Sequence, residues 1–313
     1  MIDLTPLQDL RRLRYEAPLR PVQGHRFQPT GFPDLGAAVF QVGDRQCLEV
    51  ESAQSMANRL EKVIWDGASN NVREPFRGIS YVRVERDGEY LTSTIEEAHR
   101  INSPYLLEGK DKSFFNELKE ELAVLAEGPI DRLKLAETLF RFDLNSLIHG
   151  VFLAKKDLAG GRLRVARALS SFIEADNVQP AISGGVKNDH VDPSGDAKKG
   201  YGNVPFIRER YTAESITAYF SLDLAQIRAY GLDRDATELL IAISLLKIRL
   251  LLDGDLRLRT DCEFEVDGDV RCTVEPAFDL PGETELAETV GELVGRCADR
   301  FAGTDGITVV THG

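Results

Sequence analysis

Asp189, His190 and Asp192 form the densest group of metal-type ligands in the chain. Two carboxylates and an imidazole can hold a divalent cation, as hydrolytic nucleases require. A polar loop in which Asp and Asn stabilise turns has the same composition. Enzyme signatures are otherwise missing: there is no GxxxxGK[ST] loop, GxSxG elbow, HExxH motif or HxH pair. The segment RPVQGHRFQPTGFPDLG (20–36) carries a different chemistry. Arg20, Gln23, His25, Arg26 and Gln28 offer donors to phosphate and sugar oxygens, and Phe27 and Phe32 offer rings that can stack on bases. Gly24, Pro29, Gly31 and Pro33 shape its backbone, and glycine lets a backbone approach a ligand closely. An irregular connector with both phenylalanines anchored in the core would contain the same residues.

Basic residues recur in pairs. Arg12 and Arg14, Arg162 and Arg164, and Arg257 and Arg259 each share one phase of an alternating segment. On one sheet they would make a basic surface inside an acidic protein, or they would simply solvate an exposed face. Ser55, Arg59 and Lys62, with Gln54 and Asn58 beside them, form a polar helical stripe that can follow a phosphate backbone or face water. Lys187, Asn188, Lys198, Lys199 and Tyr201 sit in a glycine-rich stretch that suits a mobile arm or a disordered loop. His99 and Arg100 form one more polar pair, just before Asn102-Ser103-Pro104.

The elements that would position these groups follow from periodicity. Four segments alternate with period two: 12–19, roughly 162–173, 215–222 and 255–266. Two segments have helical spacing: 52–65, with Ser52 as N-cap, and 234–252, apolar nearly all round and ending before Gly254. Strand, helix, strand, strand, helix, strand is the order of a ferredoxin-like or RRM-like α+β unit (βαββαβ). Two large insertions interrupt it. The first, about 66–160, contains a hairpin signal, YVRVERDGEYLTS, and helical stretches near 113–126 and 131–141. The second, about 177–206, reads as a long functional or disordered loop. Residues 1–266 thus form one unit, and 267–313 read as a peripheral acidic extension with a helix near 284–300.

Composition bounds the rest. The chain has 313 residues, 42% of them hydrophobic, which fits a folded core. No run of about 18 apolar residues suggests a membrane span. No secretory signal is visible, and four cysteines without a CxxC pair suit a reducing cytosol. The net charge of -13 argues on its face against nucleic acid. It is unevenly placed. Residues 261–313 hold 13 acidic and 3 basic side chains, whereas 11–30 hold five arginines and one glutamate. A nucleic-acid groove would therefore be local, and the acidic segment should lie away from it.

The strings RPVQGHRFQPTGFPDLGAA, CLEVESAQSMANRLE, EAHRINSPY, SGGVKNDHVDPSG and ATELLIAISLLKIR resemble the Cas-seven-type backbone subunit of type I-G (formerly I-U) CRISPR systems, the Csb-one family. The resemblance spans roughly 12–266. It implies an RRM-like palm with finger (66–160) and thumb (177–206) insertions. It implies that copies polymerise along one CRISPR RNA as the spine of a Cascade effector, beside other subunits. The spine holds the guide by its sugar-phosphate backbone and presents it to target DNA. It needs no cofactor and is not catalytic. The residues expected to meet RNA are Gln23, His25, Arg26, Phe27, Gln28, Ser55, Arg59, His99, Arg100, Lys187 and Asn188. Aromatic RNP motifs are missing from the strands, because Tyr15 and Phe220 fall in the apolar phase, so base stacking on the sheet is not expected. Two rival readings are a metal-dependent ribonuclease acting through Asp189, His190 and Asp192, and a purely protein-binding scaffold.

Overall fold

The alternation in 12–19 becomes strand β1 (Leu13–Pro21), whose Leu13, Tyr15, Ala17 and Leu19 are buried while Arg14 and Arg20 face water. This computed structural model describes residues 1–32, 35–254 and 256–313. Strand β2 (Arg45–Glu51) leads directly into helix α1 (Ala53–Lys62). As expected, Ser52 caps that helix, its Oγ accepting from the Ser55 N–H at 3.4 Å. Strand β3 (Leu169–Asp176), strand β4 (Ser215–Leu222), helix α2 (Arg234–Gly254) and strand β5 (Cys262–Val266) complete the centre.

The spatial order is β5-β1-β4-β3-β2, with Val39–Val42 outside β2 and Arg257–Arg259 outside β5. Every pairing among these strands is antiparallel. Register places Tyr15 opposite Phe220 and Ala17 opposite Ala218, so the inward side chains of β1 and β4 form one apolar surface. Helices α1 and α2 cover it. Helix α2 is buried along most of its length, as an apolar surface nearly all round requires.

Three of the strand and loop expectations change. The alternation near 162–173 is two strands: Leu163–Val165 pairs with Val151–Leu153 in a separate hairpin, and β3 begins only at Leu169. Leu163, Val165 and Leu169 keep the same phase, so periodicity alone cannot reveal the break. The 255–266 pattern is likewise a hairpin, Arg257–Arg259 against β5, turning at Asp261 with φ 58°; Asp255 lies outside the described residues. The stretch 177–206 is not a structureless loop. Gln179–Lys187 pairs residue for residue with Val204–Thr212 in a two-stranded ribbon. Both faces of the ribbon are largely solvated, so neither carries the apolar stripe by which a half-buried strand is recognised.

The first insertion holds the expected hairpin, Tyr81–Arg86 and Glu89–Ser93, with Asp87 and Gly88 both at positive φ in its turn. Helices follow at Ser113–Leu122 and Arg132–Phe142. The segment after 266 is threaded through the molecule rather than trailing from it. Arg271–Cys272 pairs with β1, the helix Glu283–Cys297 packs Leu286, Val290 and Leu293 against α2, and Ile307–Thr311 lies parallel to Tyr81–Arg86. None of the described helices is long and apolar enough to cross a membrane.

Phe220 lies at the middle of the central strand pair and is 2% exposed. Replacing it with alanine is expected to cost about 3–5 kcal/mol of folding stability through lost burial and a residual cavity. Urea unfolding of the Phe220→Ala protein, followed by circular dichroism, measures this.

Candidate nucleic-acid interface

Where β1 leaves the sheet, the chain turns over Val22–Arg26, with Gly24 in the left-handed region at φ 69°. Gln23, His25 and Arg26 are exposed and line a cleft of about 410 Å³. The far wall holds Arg210, Asp261 and Glu263. Phe27 does not face this cleft as a stacking ring. It is 1% exposed, packs edge-on against Phe264 at 5.6 Å, and exchanges backbone hydrogen bonds with Tyr211 at 3.0 and 2.9 Å. The apolar ring gains more from the core than from water, so its role is to pin the Val22–Arg26 turn to the base of the ribbon. Gln28 is half-buried, and its backbone N–H donates to the Asp261 carbonyl at 2.7 Å. The Phe32 side chain and Pro33 lie outside the described residues.

Lys187 and Asn188 are exposed at the outer end of the ribbon, distant in sequence from the 22–26 turn but on the element that rises from it. Arg208 and Arg210 on the returning strand both reach Asp261, Arg208 at 3.5 Å. Period-two reasoning missed this arginine pair because the ribbon strands have no buried face to mark their phase. Asp261 and Glu263 also show that the acidic segment does not stay wholly clear of the cleft. They belong to the last hairpin, whose pairing brings them there.

Ser55 and Arg59 are turned inward. Both bond Glu51, a carboxylate that is 1% exposed at the end of β2. The Arg59 Nε–Oε1 distance is 2.9 Å, and its Nη2 donates to the Leu258 carbonyl at 2.6 Å. Arg259 grips the other Glu51 oxygen. A buried carboxylate needs such partners, so the polar stripe expected to track a phosphate backbone instead ties α1 to the last hairpin.

Arg100 is buried as well, at 5% exposure. Its guanidinium forms a two-toothed pair with Glu61 of α1, Nε–Oε1 2.6 Å and Nη2–Oε2 2.7 Å, and donates to the Gly150 carbonyl at 3.1 Å. It is therefore not available to a ligand, whereas its neighbour His99 is exposed. Lys247 of α2 completes this interior cluster. Its Nζ donates to Asn145 Oδ1 at 2.6 Å and lies 2.8 Å from His149 Nε2. Burial lowers the Lys247 pKa to about 7, partly offset by Glu61. Burial, helped by Lys247, drives His149 well below the usual histidine range. The imidazole is then neutral.

Asp189 has its oxygens engaged by backbone. It accepts from the N–H groups of Val191 at 2.9 Å, Asp192 at 3.1 Å and Gly202 at 2.9 Å, which hold its carboxyl below the usual carboxylate range. Asp192 accepts from Ser194 Oγ at 3.2 Å. Among the described residues no group of three or more His, Cys, Asp or Glu side chains is arranged to hold a metal ion. The turn-stabilising reading accounts for Asp189, and the ribonuclease alternative is not favoured.

The open face of the sheet holds a feature that the sequence reading passed over. Phe172 and Tyr219 face each other across β3 and β4 and stack at 5.0 Å, both half-buried. They lie in the polar phase of their strands, where an aromatic is easily taken for an isolated exposed residue. Glu16, Glu174 and Asp176 lie on the same face. Burial, with Asp176 and Glu49 nearby, pushes the Glu174 carboxyl up. Two of these carboxylates have arginine partners, Glu16 with Arg271 at 2.5 Å and Asp176 with Arg45 at 3.7 Å.

A family model described as CRISPR-associated protein GSU0053 matches residues 13–180, more than half of the chain. Among solved structures, the chain is similar to one from a "CRISPR RNA-guided surveillance complex, pre-nicking", with 12% identity and a TM-score of 0.43, covering 92% of this chain and 89% of that one. It is also similar to Thermofilum pendens Csc2, with 9% identity and a TM-score of 0.34, covering 95% of this chain and 78% of that one. No curated protein matches.

The interior cluster has a pH signature. A buried lysine with a lowered pKa binds fewer protons in the folded chain than in the unfolded chain between about pH 7 and pH 10, so its contribution raises stability as pH rises through that window. Below about pH 7 the lysine is charged in both states and its burial penalty is fully present. Urea unfolding at several pH values is expected to show this rise in the wild type and a flatter profile in Lys247→Met.

Proposed function

Because the chain belongs to the family described as CRISPR-associated protein GSU0053, we propose that it is a guide-RNA-binding backbone subunit of a type I CRISPR effector, of the I-G kind. On this reading β1, α1, β3, β4, α2 and β5 are an RRM-like palm, the ribbon 179–212 is the thumb, and the elements within 66–160 are the finger. Copies polymerise along one CRISPR RNA in the cytoplasm, join other effector subunits, and present the guide for pairing with target DNA. The subunit itself is not catalytic.

The family match carries the reading, and the geometry agrees with it. An exposed ribbon rises between β3 and β4, and the exposed Gln23, His25 and Arg26 stand at its base. Guanidinium, ammonium and amide donors at such positions suit sugar-phosphate oxygens, which are the same whatever the guide sequence. Arg26, Lys187, Gln23, His25 and Asn188 are the residues proposed to touch the guide, whereas His99 lines a separate cleft with Arg164 and Arg167. His25 adds positive charge only when protonated. Phe27, Ser55, Arg59 and Arg100 position the backbone around them, and Gln28 contributes through its main chain.

Fluorescence anisotropy with two unrelated single-stranded RNAs across a salt series tests this. Binding should weaken steeply with salt and differ little between the sequences. Arg26→Ala with Lys187→Ala should weaken both RNAs alike and make the log–log salt slope shallower by roughly 0.7 for each phosphate no longer neutralised. Marked preference for one sequence, or binding indifferent to salt, counts against the proposal.

A further inference from the structure

At the end of the sheet opposite the ribbon, three clefts run into one another. The first, of about 630 Å³, shares Arg164, Val165 and Ala166 with the second, of about 610 Å³. The second shares Arg132, Gln226 and Ala229 with the third, of about 710 Å³. The groove therefore passes from His99 across the Leu163–Val165 strand to the start of β1. Arginines occur along its whole course. Of these, Arg11, Arg14, Arg132 and Arg164 are exposed and have no carboxylate within ion-pair distance among the described residues. Arg162 is held in place by the Leu125 and Gly128 carbonyls at 2.7 and 2.9 Å, and Arg167 by the Ala53 carbonyl and Gln54 at 2.9 Å each.

Carboxylates are scarce here. None lines the first two clefts, and the third has only Asp223, already paired with Arg12 at 2.9 Å, and Glu275. In a chain of net charge -13, such a concentration of unpaired guanidinium groups must repel itself unless an anion neutralises it. The Arg164 guanidinium also lies over the Phe152 ring at 4.1 Å, and Phe152 is 42% exposed. A flat cation held on an aromatic ring is a stacking platform for a base.

We propose that this groove binds a single strand of nucleic acid, distinct from the guide held at the ribbon. An open, continuous path with charges spaced along it matches a phosphodiester backbone rather than one small anion. The shared chemistry is the strand, and either DNA or RNA can supply it.

The test uses the intact chain saturated with one labelled RNA, to which labelled oligo-dT or oligo-U is added while anisotropy is followed across a salt series. Uptake of a second strand is expected, and the better-bound of the two oligomers identifies the source. Arg14→Ala, Arg132→Ala and Arg164→Ala combined should abolish that uptake, with the first strand retained and the thermal melt unchanged. The three lysine substitutions, which keep the charge, should restore most of it and serve as the reference if the alanine variant unfolds. Failure to take up a second strand overturns the proposal, as does a second strand bound normally by the folded alanine variant. Loss of the first strand in that variant would make the groove the guide path itself and also overturn it. The Arg26→Ala, Lys187→Ala protein separates the two ideas: unchanged first-strand binding there counts against the ribbon as the guide site while leaving the groove result intact.

Discussion

The pair between Glu61 and Arg100 holds the molecule's two halves in register. Glu61 belongs to α1, Arg100 to the long insertion, and Lys247, which shares their field, to α2. Asn145, His149 and the Gly150 carbonyl add the far side of the insertion to the same cluster. These groups are buried, and the charged ones meet partners within the fold. Removing one partner would leave a buried charge uncompensated, at a cost of about 3–5 kcal/mol. Such a cluster fixes one arrangement of the insertion on the helices. Arg100 accepts a positive φ of 50° to reach it.

A second hub does the same work at the other side of α1. Glu51 gathers Ser55, Arg59 and Arg259, so the start of α1 and the last hairpin close on one buried carboxylate. Arg259 further donates to the Gln28 carbonyl and to the Cys262 sulfur, at 3.4 and 3.2 Å. The hairpin, the 22–28 turn and the helix are thereby fixed relative to each other. On the proposed function, rigid placement of the turn matters because donors meet a repeating backbone only if their spacing does not wander.

Charge is partitioned by surface. The open face of the sheet is acidic around the Phe172–Tyr219 stack, and the segment after 266 adds further carboxylates. Exposed cations without a carboxylate partner among the described residues occur at both ends of the strands: Arg26 and Lys187 at the turn and the ribbon, and Arg11, Arg14, Arg132 and Arg164 in the arginine groove. A single net charge averages these surfaces away.

Strands β1 and β4 and both helices were legible in the sequence, because a half-buried element must repeat with its own period: Tyr15 and Phe220 read as inward, and they are; strand β2, between β1 and α1 in the chain, was not read. The Ser52 cap and the Asp87-Gly88 turn were legible because their chemistry is local. The breaks at 166–168 and 260–261 were not, because the phase of the apolar residues continues across them. The ribbon was hidden because a strand solvated on both faces has no period to show. Arg59 and Arg100 looked like ligand-binding residues because residue type does not reveal direction. Only the tertiary structure, by bringing Glu51 and Glu61 into the interior beside them, decided that these arginines compensate buried charge while Arg26, Arg132 and Arg164 remain free to meet an anion.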